Sequence, residues 1–187
     1  GSGFTNDLTI ALDLDTSANT VTATNYTKNL SVTAADINVD GTSTTTLTGG
    51  SGTDTLTVTS SADATLGLDA MTKFEKLVLK DGGDATVDDI YFTSADVLVD
   101  DGKSFTVDAT DMSTDLAIFD ISAETNGSIT IKGGSGVDDI TASASDQGDT
   151  LEGNAGDDTF TISHAGFTSA DTISGGAGDD KIYGDTD

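Results

Sequence analysis

Four stretches of nine residues repeat one order of glycine, aspartate and a large apolar residue. They begin at Gly49, Gly133, Gly153 and Gly175 and follow the pattern G-G-x-G-x-D-x-U-x, where U is large and apolar, although Asn154 holds the second position of the third copy. Glycine-rich loops can point several backbone carbonyl oxygens at one place, because glycine has few steric limits on its backbone angles. The aspartate at position six adds a carboxylate where the loop enters a strand. Ca²⁺ binds about six to eight such hard oxygen atoms, so the pattern predicts calcium-binding turns.

Three of these copies are predicted to lie in one column. Asp138, Asp158 and Asp180 each come before a strand of the same apolar series, so their turns would stack at one edge of the molecule. Carboxylates one coil apart would repel each other without a cation between them. We therefore predict at least two calcium ions, one between each pair of successive turns. The ligands predicted on this edge are Gly133, Ser135, Asp138, Gly153, Ala155, Asp158, Gly175, Ala177 and Asp180.

Two further sets of acidic turns are predicted to bind calcium more weakly. By register, Gly49 and Asp54 lie on the same edge as the column, but the next turns, at residues 72–75 and 93–96, lack the glycines of the pattern. Other aspartates are predicted to form a second column on the opposite edge. The candidates in this second column are Asp146, Asp149, Asp171, Asp185 and Asp187.

Large apolar residues recur through the chain in two interleaved series. The short runs around them alternate with small polar residues, as β-strands do, and glycine- and aspartate-rich turns separate the runs. A repeat of about 20 residues with two strands and two turns predicts an all-β, parallel β-solenoid, whose coils bury apolar residues only by stacking. We expect roughly 18 short strands, hence about nine two-strand coils. The first series is Leu56, Leu77, Leu98, Phe119, Ile140, Phe160 and Ile182, and the second is Leu47, Leu66, Val87, Val107, Ile129, Leu151 and Ile173.

One local alternative stays open at residues 65–80. Met71, Phe74 and Leu77 are near helical spacing there, so a short helix at one edge of the solenoid competes with strands. The chain has no proline, which fits a solenoid, because proline would remove a hydrogen-bond donor from a strand ladder.

The composition excludes several classes of function. Asp and Glu number 33 against seven Lys plus Arg, which gives a formal net charge of −26. Nucleic-acid binding and attachment to anionic lipid both need clustered basic residues, and no apolar stretch reaches the length of about 18 residues that membrane insertion needs. With no Cys, the chain has no thiolate metal ligand. A single histidine, His164, and no G-x-S-x-G motif leave little for nucleophilic catalysis. We therefore expect no enzymatic activity.

The four nonapeptides resemble the RTX (repeats-in-toxin) calcium-binding repeats of secreted bacterial proteins. The resemblance covers roughly residues 133–187 and 49–57. It implies a right-handed parallel β-roll, export by a type I secretion system, and folding outside the cell when calcium is met. We expect residues 1–132 to form an irregular parallel β-solenoid with one isolated nonapeptide at 49–57. Residues 133–187 would form an RTX β-roll that is continuous with it and is cut short inside a further repeat.

The stretch without glycine motifs decides between two expected functions. Residues 58–132 resemble solenoid segments of S-layer proteins and adhesins more than the compact roll of a secreted protease. We therefore expect a calcium-dependent structural module of a bacterial surface protein, an S-layer protein or an RTX adhesin, located outside the cell. It would bind several Ca²⁺ ions and associate with neighbouring copies in a surface lattice. The alternative is a non-catalytic RTX domain that helps a secreted hydrolase or epimerase to be secreted and to fold.

Overall fold

The computed structural model describes residues 6–13, 20–35, 46–60, 64–67, 71–83, 89–94, 98–113, 117–163 and 166–184. The regular elements in these ranges are all β-strands. None of the described segments forms a helix long and apolar enough to cross a membrane. The strands are β1 (Leu8–Asp13), β2 (Thr20–Thr22), β3 (Leu30–Ala35), β4 (Thr46–Thr48), β5 (Thr55–Ser60), β6 (Ala64–Gly67), β7 (Met71–Thr72), β8 (Lys76–Asp81), β9 (Ile90–Thr93), β10 (Ser104–Asp108), β11 (Ala117–Asp120), β12 (Ser128–Lys132), β13 (Asp138–Thr141), β14 (Thr150–Ala155), β15 (Thr159–Ile162), β16 (Thr172–Ala177) and β17 (Lys181–Gly184).

The described strands stack into parallel sheets. An eight-stranded sheet has the order β1-β3-β5-β8-β10-β12-β14-β16, and a six-stranded sheet has the order β17-β15-β13-β11-β9-β6. A third sheet contains β2, β4 and β7. Each pairing among the described strands is parallel. The chain passes from one sheet to another and back, coil after coil, which confirms the predicted all-β parallel β-solenoid. The prediction of about nine coils is slightly too high, because the longest sheet has eight strands.

The coil between β5 and β8 changes the sheets that the chain visits. Before this coil the chain alternates between the eight-stranded and three-stranded sheets, and after it between the eight-stranded and six-stranded sheets; the coil itself contains both β6 and β7. Consequently Leu56 and Leu77 lie in the eight-stranded sheet, whereas Phe119 lies in the six-stranded sheet. The prediction that one apolar series follows one face is therefore wrong. The extra strand moves the series to the other face, and the two faces have nearly the same period.

The helix alternative at residues 65–80 is also wrong. In the described part of this stretch the chain forms β6, β7 and the start of β8. Leu77 and Leu79 of β8 are fully buried, whereas Val78 and Lys80 between and after them are more exposed. Burial at every second residue is the period of a strand. The near-helical spacing of the apolar residues arises because a turn separates the two strands.

Inward-facing side chains of the sheets form the core. Phe92, Phe105, Phe119 and Phe160 are fully buried. Phe92 and Phe119 lie on paired strands of the six-stranded sheet, and their ring centroids are 6.3 Å apart. Because the core fixes how each coil stacks on the next, it also fixes the turns at the sheet edges, where the nonapeptides lie.

Candidate calcium sites

The structure places Asp138, Asp158 and Asp180 in one column. Asp138 is the first residue of β13, and the other two lie one residue before or next to the start of β15 and β17, in the same six-stranded sheet. The backbone N–H of Asp138 donates to Oδ1 of Asp158 over 2.9 Å, and the N–H of Asp158 donates to Oδ1 of Asp180 over 3.0 Å. Each of these two carboxylates therefore joins its own coil to the coil before it.

Two of these carboxylates keep a free oxygen inside the protein. Asp138 and Asp158 are 1% and 0% exposed. Oδ2 of Asp138 accepts a hydrogen bond from the N–H of Gly134 over 2.9 Å. Oδ1 of Asp138 and Oδ2 of Asp158 are buried and have no hydrogen-bond partner among the described residues. A buried ionised oxygen without a partner is costly, so both atoms are suited to a cation.

The glycines of the motif are needed because backbone and carboxylate oxygens crowd against them. A Cβ atom on Gly153 would overlap Oδ2 of Asp158 and come within 2.7 Å of the carbonyl oxygen of Gly175 in the next coil. A Cβ atom on Gly156 would overlap the carbonyl oxygen of Gly136 in the preceding coil. Gly156 also has a φ of 123°, which few other residues adopt. Carbonyl and carboxylate oxygens therefore converge on the turns, as a calcium site needs.

Asn154 takes the place of a glycine by adopting the same kind of backbone conformation. Its φ is 75°, in the left-handed region that Asn tolerates better than most residues. Its side-chain Nδ2 donates to the carbonyl oxygen of Gly133 over 2.7 Å. The irregular copy of the motif therefore keeps the geometry of the others and adds a bond to the preceding coil.

The residues predicted at position three of the motif lie in less uniform places. The Ser135 hydroxyl donates to the carbonyl oxygen of Ser113 over 2.5 Å. Ala155 and Ala177 are the last residues of β14 and β16 and are paired in register. The carbonyl oxygen of Ala177 accepts the N–H of Gly156 over 2.9 Å. In the third and fourth copies, positions one to three thus belong to the eight-stranded sheet, and the turn proper begins after them.

Asp149 and Asp171 form a second column at the other edge. The N–H of Asp149 donates to Oδ1 of Asp171 over 2.7 Å, and the N–H of Ile129 donates to Oδ1 of Asp149 over 2.8 Å. The Ser143 hydroxyl donates to Oδ2 of Asp149 over 2.5 Å. Asp146 is exposed and its Oδ1 accepts only from the adjacent Gln147 side chain, so it does not join the column. The other candidates, Asp185 and Asp187, and also His164, lie outside the described residues.

Asp54 lies on the edge of Asp149 and Asp171, so its predicted place beside Asp138 is wrong. It comes directly before β5, a strand of the eight-stranded sheet, just as Asp149 comes before β14. The coil that contains both β6 and β7 accounts for the difference, because it puts the strand after Asp54 on the other face from the strand that Asp138 begins. The fully buried Asp54 carboxylate accepts N–H bonds from Leu30 over 2.8 Å and from Gly50 over 2.6 Å.

The turn after Asp54 copies the nonapeptide geometry without its glycines. The N–H of Asp54 donates to Oε2 of Glu75 over 2.6 Å, so Glu75 takes the place of the next aspartate. The backbone of Lys73 has a φ of 57°, and its carbonyl oxygen packs against Gly49 as that of Gly153 packs against Gly133. Sequence reasoning missed Lys73 and Glu75. The available signal was spacing, since Glu75 follows Asp54 by one coil.

Burial and mutual repulsion make these carboxylates hard to ionise. Burial raises the pKa of Asp138 to about 7, and the negative charge of Asp158 raises it further. Burial also raises the pKa values of Asp149 and Asp158, each with a contribution from the next aspartate in its column. The pKa of Glu75 is raised by burial and by Asp54. A bound divalent cation would reverse these effects, because it attracts the ionised form.

The turns offer mainly backbone oxygen. Among the described residues, no group of three or more Asp, Glu, His or Cys side chains is close enough to hold a metal ion by itself. Any ion here would be held by one or two carboxylates together with carbonyl oxygens, a ligand set that Ca²⁺ accepts because its coordination geometry is flexible. The fold and these turns together define a parallel β-solenoid with stacked oxygen sites for a hard cation.

Comparison with protein families agrees with this class. The profile of the RTX calcium-binding nonapeptide repeat matches four copies, in residues 41–63, 143–161 and 166–187. These matches and the β-solenoid together fit an RTX calcium-binding β-roll family, and the repeats indicate a calcium-binding structural module. The nonapeptide that begins at Gly133 lies outside the matched segments, although Asp138 belongs to the same column as Asp158. No curated protein and no solved structure matched the chain.

Proposed function

We propose that this chain is a calcium-dependent structural module of a secreted bacterial surface protein, an S-layer protein or an RTX adhesin. Calcium ions between stacked turns would couple folding to arrival outside the cell, after export by a type I secretion system. The module itself would be non-catalytic. Its partners would be calcium and neighbouring copies of the same protein in a surface lattice.

The column of Asp138, Asp158 and Asp180 is the observation that carries this proposal. Carboxylates in successive coils are held beside one another by backbone hydrogen bonds, and two of them are buried with an oxygen left over. Without a cation this arrangement opposes folding, because like charges are close together in a poorly solvated place. With calcium it favours folding, because the free energy of binding to the folded state adds to stability.

The charge of the outer surface supports a role in assembly. The net charge of −26 would keep copies apart by repulsion, and divalent cations would lower that repulsion. Asp100, Asp101 and Asp111 are exposed on the part of the solenoid that has no glycine motif. Such residues could hold calcium between neighbouring molecules. This stretch favours the surface-protein role over a roll that only assists an attached enzyme.

Hydrogen exchange in calcium and in chelator tests the module. In the chelator we expect fast exchange across residues 138–184, and we expect millimolar calcium to restore protection there. Magnesium at the same concentration is the matched control, because it demands octahedral geometry and keeps its water ligands, and it should restore little. Equal protection in chelator and calcium would contradict the calcium-dependent module.

A separate measurement tests assembly. Calcium should convert the folded full-length protein into ordered two-dimensional arrays or larger oligomers, visible by electron microscopy and light scattering. Protein that folds with calcium but stays monomeric at high concentration would reject the lattice role and leave the calcium-binding module in place.

A further inference from the structure

The buried oxygens without hydrogen bonds fall into two groups. Among the described residues, five buried side-chain atoms have no hydrogen-bond partner. Two of them belong to Asp138 and Asp158, in the aspartate column. The other three are Oγ of Ser94, Oε2 of Glu124 and Oδ1 of Asn126. No nonapeptide includes these three residues, and no family match covers them.

The turn from Ile121 to Gly127 brings two of these atoms close in the chain and fixes one of them. Oε1 of Glu124 accepts the N–H of Asn126 over 3.0 Å and the N–H of Gly127 over 2.9 Å. These bonds hold the carboxylate over the turn and leave Oε2 as the spare oxygen. Glu124 is 0% exposed, so this oxygen has no access to water.

The turns of the neighbouring coils enclose this one. The carbonyl oxygen of Glu124 accepts the N–H of Ala144 over 3.0 Å, and that of Asn126 accepts the N–H of Gly102 over 3.3 Å. The N–H of Ser94 donates to the carbonyl oxygen of Asp120 over 3.0 Å, so Ser94 lies beside the start of the turn. The third free oxygen therefore belongs to the coil stacked directly on the coil of Glu124.

The charge of Glu124 has no basic partner in the described part of the chain. The ion pairs found there join Lys76 to Asp108, Lys80 to Asp111 and Lys132 to Glu152. Burial of an ionised carboxylate without a partner is unfavourable by several kcal/mol or more. A carboxylate, an amide oxygen and a hydroxyl are all ligands that calcium accepts, and they are too hard to favour a softer metal.

We propose that Glu124, Asn126 and Ser94 form a calcium site in the part of the solenoid that has no glycine motif. Glu124 provides the charged ligand, and Asn126 and Ser94 provide neutral oxygen ligands. The site stabilises the stacking of the turn at 121–127 on the coils on either side. It goes beyond the RTX-type turns, because neither the residue types nor the spacing follow the nonapeptide.

Calcium content and hydrogen exchange of the full chain test this site. Glu124→Gln removes the charge and should lower the number of bound calcium ions by one per chain in equilibrium dialysis. Calcium should slow exchange of the 121–127 turn in the unsubstituted protein and have no such effect in this variant. Glu152→Gln is the matched control, because Glu152 is partly exposed and its ion pair with Lys132 is 3.8 Å long. The control should bind as many ions as the unsubstituted protein.

Asn126→Asp separates a calcium site from a plain hydrogen bond, and it decides the matter if Glu124→Gln does not fold. A second carboxylate should tighten calcium binding at this site several-fold and keep the number of ions. If instead the Asn126 amide nitrogen donates to Glu124, Asn126→Asp places two acids together and lowers the melting temperature equally in calcium and in chelator. That result, or an unchanged ion count in Glu124→Gln, overturns the proposal. An unsubstituted protein that binds no calcium at all would reject the RTX-type sites as well, so the two failures are distinct.

Discussion

The middle of the solenoid and its C-terminal part use different means to stack similar coils. From β8 to β12 the interior is filled by large apolar side chains such as Leu77, Phe105 and Ile131, all fully buried. Outside, lysines cross from coil to coil, and the Lys76 ammonium lies 2.7 Å from Asp108. From β13 to β17, carboxylates take the coil-to-coil positions, and the apolar series thins until Ile182 is 59% exposed.

The difference shows that a coil needs something between itself and its neighbour, and that the material can vary. Where apolar residues are large and fully buried, the hydrophobic effect is enough to hold coils together. Where glycine and small residues replace them, little apolar area is buried and like charges approach one another. The C-terminal coils therefore depend on an ion, and the middle coils depend on their core. Variants in the two regions should respond to calcium in opposite ways.

The largest effect is expected from Phe105→Ala in the middle coils. Removal of a fully buried phenylalanine leaves a cavity and costs about 3–5 kcal/mol of the free energy of unfolding. The loss should be similar in calcium and in chelator, because the ring lies in the apolar core. Denaturant unfolding followed by hydrogen exchange of β8 to β12 measures it. A loss that appears only in calcium would contradict the proposed division between the two regions.

Asp158→Asn should have the opposite dependence on calcium. In calcium it should lower stability by about 3 kcal/mol, the value for one site at about a hundredfold excess over its dissociation constant. In chelator it should cost little or even stabilise, because it removes a buried charge while Oδ1 can still accept the N–H of Asp138. Denaturant unfolding with and without calcium measures both.

Asp179→Asn is the control for this change, since Asp179 is an exposed acid in the next turn. It should change stability by less than about 0.5 kcal/mol in either condition. If Asp158→Asn destabilises equally with and without calcium, its carboxylate is a structural hydrogen-bond acceptor and not a calcium ligand.

Sequence reasoning reached the class of fold and the main column because both depend on local pattern. The motif places Asp138, Asp158 and Asp180 one coil apart, and the strands after them stack in parallel, so the column follows from the period. Their role as calcium ligands stays a prediction, as does the division of the chain at residues 132 and 133. The eight-stranded sheet crosses that boundary, because β12 pairs with β14.

The features that sequence reasoning missed depend on contacts between distant coils. The face on which Asp54 lies changed because one coil contains an additional strand, and periods of similar length on both faces conceal such a change. Lys73 has a positive φ that its residue type does not announce. The burial of Glu124 comes from turns in the coils before and after it, and the turn itself has no pattern that predicts it.

The pH dependence of stability without calcium offers the smallest and most direct test of the charged column. The pKa of Asp138 is raised to about 7 from an ordinary value of 3.8, so between these values the folded chain binds a proton that the unfolded chain does not. The free energy of unfolding must then fall as pH rises through this window. Between pH 5 and pH 7 the fall from this residue alone is at most on the order of 3 kcal/mol, and the raised pKa values of Asp149 and Asp158 act in the same direction.

Calcium should weaken this pH dependence or reverse its sign, because the ion competes with protons for the same carboxylates. Unfolding midpoints in chelator and in calcium from pH 5 to pH 8 measure the two slopes. Asp138→Asn should make the slope in chelator shallower, since it removes the group with the most clearly raised pKa. A calcium-free protein whose stability rises with pH across this range would mean that the column is neither buried nor crowded in solution. In that case the charged turns would not need an ion, and the C-terminal coils would not differ from the middle coils in what holds them together.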